Sequence, residues 1–92
     1  MGQDKRRGRR ETINTTFPHH VDLVPPLDGF AVGTHQAIMQ FLERRIGQFD
    51  MYGDCENGEM FIRYCFSSAS DAIEFRDTFG SAAEKVSFKI AS

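Results

Sequence analysis

Cys65, Asp50 and His20 are of the residue types that carry nucleophilic catalysis, in which a thiol, an imidazole and a carboxylate converge on one substrate. The strand pairing derived below places Cys65 beside Asp50 on one face of a sheet, and His20 joins them if the first strand is central. A flat sheet face provides no cleft that excludes water from a reaction. We therefore predict that the protein is not an enzyme and has no catalytic residue.

Histidine and cysteine side chains also bind metal ions, and the chain contains His19, His20, His35, Cys55 and Cys65. Their spacing matches none of the common metal-binding patterns, such as Cys-x₂-Cys or His-x₃-His. The same strand pairing puts the two cysteines on opposite faces of the hairpin, so they neither bridge nor share a metal. We predict no metal site, no disulfide and no cofactor.

Tyr52, Phe61 and Arg63 form the principal candidate binding site, because strand alternation places all three on the open face of the sheet. Aromatic side chains on such a face can stack on the bases of single-stranded RNA. The third strand does not match the RNA-recognition consensus, since Glu59 and two aspartates of the second strand bring negative charge.

A second interpretation of this face is a protein interface. Tyr52 and Arg63 then form a cross-strand contact, and a second copy of the protein covers Phe61 and Cys65. This interpretation predicts a homodimer formed through the open sheet face or a sheet edge.

The glycine-bearing loop from Pro25 to Thr34 leads into a helix, where free backbone N–H groups can hold an anion. Its run LDGFAVGTHQAI resembles the first loop of amino-acid-sensing (ACT) regulatory domains, a resemblance that implies a small effector. The phosphate-binding patterns G-x-G-x-x-G and G-K-[ST] are absent. Effector binding or nucleic-acid binding is the alternative to an interaction module.

The strands that position these side chains are indicated by one hairpin. Asn57-Gly58 is typical of a type I′ turn, and it pairs Phe49–Cys55 with Met60–Phe66 so that Tyr52 faces Arg63 and Asp50 faces Cys65. Two further strands are predicted at His20–Val24 and Lys85–Ile90. In the last strand the residues expected to point inward are Val86, Phe88 and Ile90.

Two helices separate the strands. Thr34 is the expected N-cap of the first helix, and its expected apolar face is Ala37, Ile38, Phe41, Leu42 and Ile46. In the second helix Ser70 is the expected N-cap and Gly80 the expected C′ residue, and the apolar face comprises Ala72, Ile73, Phe75 and Phe79. The order βαββαβ predicts an α+β, ferredoxin-like two-layer sandwich, with both helices on one face of a four-stranded antiparallel sheet.

Charge divides the chain into an arm and a body. Residues 1–10 carry a net charge of +4, and residues 11–92 carry −6. We predict a flexible basic arm over residues 1–16, with residues 11–17 extended, and a single α+β domain over residues 17–92. The arm offers a possible nucleic-acid contact through its cations, which are Lys5, Arg6, Arg7, Arg9 and Arg10.

No apolar run is long enough for a membrane span, and no signal sequence is recognisable, so we expect no membrane association. Two cysteines are too few for a disulfide framework. The expected location is the reducing environment of the cytoplasm.

The runs FPHHVDLVPPLDGF and IRYCFSSASDAIEFRDTFG are similar to those of short uncharacterised bacterial proteins, over about residues 17–80. The matching features are the Phe-Pro-His opening, the strand that ends Tyr-Cys-Phe and the helix that ends Phe-Gly. The resemblance implies a shared scaffold and no particular ligand or activity. From the residues themselves, we expect a small non-enzymatic interaction module that self-associates.

Overall fold

The computed structural model of the protein describes residues 11–91; residues 1–10 and 92 lie outside the described part. A helical segment at residues 11–16 precedes a mixed succession of strands and helices. In chain order these are β1 (His19–Val24), α1 (Val32–Glu43), β2 (Phe49–Glu56), β3 (Glu59–Phe66), α2 (Ala69–Phe79), a 3₁₀ turn (Gly80–Ala82) and β4 (Lys85–Lys89). The protein is therefore α+β, as predicted.

The four strands form one antiparallel sheet in the order β2-β3-β1-β4. Asn57 and Gly58 have φ angles of 54° and 80°, as a type I′ turn requires. The turn sets the predicted register of β2 against β3, from Phe49 opposite Phe66 to Glu56 opposite Glu59. Strands β3 and β1 are therefore the two central strands.

The core lies between one face of the sheet and the inner sides of α1 and α2. It consists of Val21 and Leu23 from β1, Tyr64 and Phe66 from β3, and side chains of both helices: Ile38, Leu42, Ala72, Phe75 and Phe79. Phe75 has no exposed surface, and its ring centroid is 4.5 Å from that of Tyr64 and 5.3 Å from that of Phe66. Aromatic pairs at such separations add to the stability that apolar burial provides.

Helix α1 differs from its prediction at both ends. Its N-cap is Ala31, whose extended backbone precedes Val32, so the predicted cap Thr34 lies within the helix. The helix ends at Glu43, and Ile46 falls in the following turn, where it is 77% exposed. Gly47 ends this turn with a φ of 83°, a conformation that favours glycine. Ala37 is also exposed, because the inward stripe passes through Ile38, Phe41 and Leu42.

Helix α2 begins earlier than predicted, because Ser68 and not Ser70 is its N-cap. The backbone N–H of Asp71 donates to Ser68 Oγ at 3.4 Å. Gly80 is not a left-handed C′ residue: its φ is −58°, and it continues into the 3₁₀ turn. Ile73, which was expected in the apolar face, lies on the outer side of the helix.

Strand β4 is less buried than the alternating pattern of its residues suggested. Phe88 packs against the core, with the Arg76 guanidinium 4.2 Å from its ring centroid. Val86 is exposed, and β4 is an edge strand with a neighbour on one side only. The strand ends at Lys89, so Ile90, which was expected within it, lies beyond its end and is exposed.

Arg45 connects the end of α1 to the start of α2. Its guanidinium lies 3.0 Å from Asp71 Oδ1 and 3.6 Å from the Phe41 ring centroid. Within residues 11–91, no helix combines the length and the apolar character that crossing a bilayer needs.

Candidate functional site

The sheet face opposite the α1–α2 core, which we call the open face, carries three rows of side chains that run across the strands. The strand registers assign Asp50, Cys65, His20 and Lys89 to the first row, Tyr52, Arg63, Asp22 and Ser87 to the second, and Asp54, Phe61, Val24 and Lys85 to the third. All three predicted site residues therefore lie on this face.

The helical segment of residues 11–16 contacts the open face, which is a correction to the extended conformation expected there. Ile13 is 5% exposed, and Phe17 N–H continues the helical turn by donating to Ile13 O at 2.8 Å. Tyr52 Oη donates to Asn14 Oδ1 at 3.1 Å, and Cys65 Sγ lies 4.0 Å from the same oxygen. The segment thus covers part of the first and second rows. The five cations of the predicted arm lie outside the described residues.

Arg63 organises the second row. Its Nε donates to Asp22 Oδ1 at 2.8 Å and its Nη2 to Asp22 Oδ2 at 2.9 Å, a bidentate ion pair. Its Nη1 donates to Tyr52 Oη at 3.3 Å. The hydrogen bond to Asp22 raises the pKa of Arg63 above its ordinary range. The predicted Tyr52–Arg63 contact is confirmed, within a chain of hydrogen bonds from Asn14 to Asp22.

Phe61 lies in the third row, next to this network. The Arg63 guanidinium is 5.5 Å from the Phe61 ring centroid, within the range of a cation–π contact. Phe61 is half-buried. The structure therefore brings Tyr52, Phe61 and Arg63 together, and their role in binding stays a prediction.

The first row assembles the three residue types of the nucleophilic constellation, since Cys65 is opposite both Asp50 and His20. The environment of the Cys65 thiol is unlike that of a catalytic thiol. Cys65 has no exposed surface, and its burial raises the pKa of the thiol to about 12. Asp50 Oδ1 accepts a hydrogen bond from the Met51 N–H at 2.7 Å. A neutral, covered thiol is a poor nucleophile at neutral pH, and the absence of enzyme activity stays a prediction.

His20 is 9% exposed, and its Nε2 has no hydrogen-bond partner among the described residues. Burial lowers the pKa of the imidazole below its usual range, and the positive charge of Arg63 adds to this effect. The carboxylate of Asp22 opposes it. His20 is therefore a neutral side chain beneath the open face at neutral pH.

A shallow cavity of about 300 Å³ lies at the end of the open face formed by the β2–β3 turn and the start of β4. We call its lining the Phe61 patch, which comprises Asp22, Glu56, Asn57, Glu59, Phe61, Lys85 and Ser87. Lys85 Nζ lies 3.1 Å from Glu59 Oε2 at its rim. An aromatic ring among charges of both signs can bind a polar or charged surface.

The potential metal ligands and the loop before α1 were the other features considered from the sequence. Over residues 11–91, no three His, Cys, Asp or Glu side chains are grouped so as to hold a metal ion. Cys55 is exposed and Cys65 buried, on opposite faces of the hairpin as predicted. In the loop before α1, Gly29 N–H donates to Pro26 O in a tight turn, and Leu27 projects fully into solvent.

Sequence reasoning missed Ile13 and Asn14 as part of this face, and it missed the pairing of Asp22 with Arg63. The sequence did contain a signal for the helical segment of residues 11–16. Ile13 and Phe17 are four residues apart in a polar run, a spacing that places both on one side of a helix. Asp22 is 41 residues from its partner Arg63 and has no local signature. Only the central position of β1 brings them together.

No protein-family model matches the sequence, and no curated protein or solved structure is significantly similar to it. The resemblance to short bacterial proteins accordingly stays a prediction.

Proposed function

We propose that the protein is a non-enzymatic interaction module that self-associates through the Phe61 patch. The observation that supports this proposal is the division of the open face. Residues 11–16 cover part of its first two rows, and the cavity beside Phe61 remains at the other end. A half-buried aromatic ring bordered by charges of both signs resembles the centre and rim of a protein interface.

The composition of the patch favours a protein partner over a nucleic acid. Asp22, Glu56 and Glu59 line the cavity, with Lys85 as its only basic lining residue in the described part of the chain. A phosphate backbone needs a basic surface. Nucleic-acid or small-effector binding remains the alternative function, and within residues 11–91 no comparable set of converging side chains supports either one.

The two sheet edges are less suited to self-association than this face. Strand β4 begins at Lys85 and ends at Lys89, and strand β2 carries Asp50 and Asp54. Charges on edge strands oppose edge-to-edge pairing of two sheets, because the paired copies place like charges near each other.

Light scattering on the full chain tests the proposal at about 0.1 M and about 1 M salt, where the screening length falls from about 10 Å to about 3 Å. We expect a molar mass that approaches twice 10.5 kDa as the protein concentration rises, with the dimer persisting at the higher salt. Phe61→Glu is expected to remain monomeric, because it places a charge at the centre of the interface.

Met60→Glu is the matched control, because Met60 is the neighbouring residue, is 70% exposed and lies on the opposite face of β3. It should dimerise like the parent chain. A parent chain that is monomeric at millimolar concentration contradicts the proposal, as does a Phe61→Glu chain that dimerises normally.

We also propose that the fold is ferredoxin-like and that the protein is cytoplasmic. The strand order β2-β3-β1-β4, with a helix after β1 and another after β3, supports the first assignment. Two free cysteines, one of them exposed, support a reducing compartment.

A further inference from the structure

We infer that residues 1–10 dock on the Phe61 patch of their own chain and compete there with a second copy of the protein. The docking itself is independent of self-association, whereas the competition rests on the proposed function. The occupant is the most basic part of the sequence, with Lys5, Arg6, Arg7, Arg9 and Arg10 against Asp4.

The charges of the two surfaces are complementary. The patch and the adjoining Asp54 side chain carry four carboxylates, whereas the cations beside them are Lys85 and Arg63. Residues 1–10, which alone are called the arm from here on, carry a net charge of +4. The Phe61 ring adds a surface on which an arginine guanidinium can stack, and arginine is four of the five cations of the arm.

The helical segment that follows the arm lies on this face. Residues 11–16 lie on the open face, where Asn14 contacts Tyr52 on β2 and approaches Cys65 on β3. Phe61 is four residues along β3 from Cys65, which is about 13 Å at the rise of a strand. Residues 5–10 span up to about 20 Å when extended, a length that exceeds the distance between Cys65 and Phe61 along the strand.

Docking within one chain is favoured over docking on a second copy. A short tether holds the arm at an effective concentration in the millimolar range, which exceeds ordinary concentrations of free protein. The contacts are charge–charge contacts at a solvent-exposed surface, so salt weakens them. Self-association through Phe61 buries apolar surface and depends less on salt. Raising the salt concentration should therefore release the arm from the patch and allow a second copy of the protein to bind there.

Limited trypsin digestion of the full chain tests the docking, because trypsin cleaves after each of the five cations of the arm. The variant Glu56→Gln/Glu59→Gln removes two carboxylates from the patch. We expect trypsin to cleave its arm about three- to tenfold faster than that of the parent chain at about 0.1 M salt, and at an equal rate at about 1 M salt.

Glu43→Gln/Glu74→Gln is the matched control, since it removes the same charge from the helices on the other side of the sheet. Its arm should be cleaved at the parental rate. Equal cleavage rates in the parent chain and the patch variant at low salt overturn the inference. Protection that rises with protein concentration also overturns it, because that result places the arm on a second copy.

The two proposals fail separately. If light scattering shows only monomer, self-association is wrong, and the digestion still decides whether the arm docks. If the chain dimerises and its arm is unprotected even at protein concentrations where the chain is monomeric, the docking alone is wrong. If both proposals hold, the competition is tested with the arm variant Arg6→Gln/Arg7→Gln/Arg9→Gln/Arg10→Gln. At about 0.1 M salt, this variant should dimerise at a lower protein concentration than the parent chain. If the two chains dimerise at the same protein concentration, the competition is wrong.

Discussion

Arg63 binds both carboxylate oxygens of Asp22 from the neighbouring central strand, at 2.8 Å and 2.9 Å. The two side chains are about three-quarters or more buried, with 25% and 19% of their surface exposed. This pair fixes the orientation of the guanidinium, which in turn reaches Tyr52 Oη and lies near the Phe61 ring. The arrangement of the predicted site residues therefore depends on Asp22.

We expect Arg63→Gln to lower the free energy of unfolding by about 1–3 kcal/mol, because it leaves the Asp22 carboxylate partly buried without its cation. Urea denaturation measures this change. Lys85→Gln is the control, since the exposed Lys85–Glu59 pair should contribute less than about 1 kcal/mol. If the Asp22→Asn/Arg63→Gln double variant loses the sum of the two single losses, the pair has no coupling and the prediction is wrong.

The stability of the protein should fall on acidification through the protonation of His20. Burial lowers the pKa of His20 in the folded state below 6.5, its value in the unfolded chain. The unfolded state therefore binds the proton more readily, and the free energy of unfolding decreases as the pH falls through about 6.5 toward the lower folded pKa. Denaturation between pH 8 and pH 5 measures the slope.

His20→Gln should flatten this pH dependence, and the exposed His35→Gln should leave it unchanged. The groups that act on His20 are Arg63 and Lys89, which lower its pKa, and Asp22 and a hydrogen bond to the Phe17 backbone, which raise it. An identical slope in His20→Gln and the parent chain shows that other groups cause the pH dependence.

The two cysteines should differ in reactivity. Cys55 is exposed, whereas Cys65 is fully buried with a pKa raised to about 12. A thiol reagent at neutral pH should label one cysteine of the native protein rapidly, and the second only on unfolding. Mass spectrometry of the Cys55→Ser variant isolates Cys65, and rapid labelling of that variant contradicts the burial.

Labelling of Cys65 also reports the contact made by residues 11–16. In the Cys55→Ser background, Ile13→Ala should increase the labelling rate, because it removes a buried side chain that holds the segment to the open face. The exposed Thr16→Ala is the control and should have no effect. An unchanged rate in Ile13→Ala means that residues 11–16 do not protect the thiol.

Two glycine substitutions should have opposite effects. Gly58→Ala places a side chain at a φ of 80° in the hairpin and should lower the free energy of unfolding by about 1–2 kcal/mol. Gly33 lies in α1, and an added Cβ meets nothing within 4 Å. Gly33→Ala should therefore raise the free energy of unfolding by about 0.5–1 kcal/mol, through lower entropy of the unfolded chain. Thermal and urea denaturation compare the two, and effects of the same sign contradict this explanation.

The elements that were predicted correctly are those whose determinants lie close together in the sequence. The Asn57-Gly58 turn and the alternation of apolar residues on either side of it specify one register, and a shift of one residue would expose the buried face of β3. The errors at helix ends have a local cause as well. Ser68 and Ser70 are both acceptable N-caps of α2, and the structure uses Ser68. Helix α1 begins after Ala31, which makes no side-chain cap hydrogen bond, so no capping residue marks that end in the sequence.

The sequence by itself determined the hairpin, the order of strands and helices, and the presence of Tyr52, Phe61 and Arg63 on one face, because turn geometry and the period of strands act over a few residues. Only the tertiary structure decided that residues 11–16 pack on that face and that Asp22 pairs with Arg63. The Asp22–Arg63 pair depends on β1 lying beside β3 in the sheet. A contact between residues about 40 positions apart is stabilised by burial that exists only after the sheet has formed, so no short stretch of sequence encodes it.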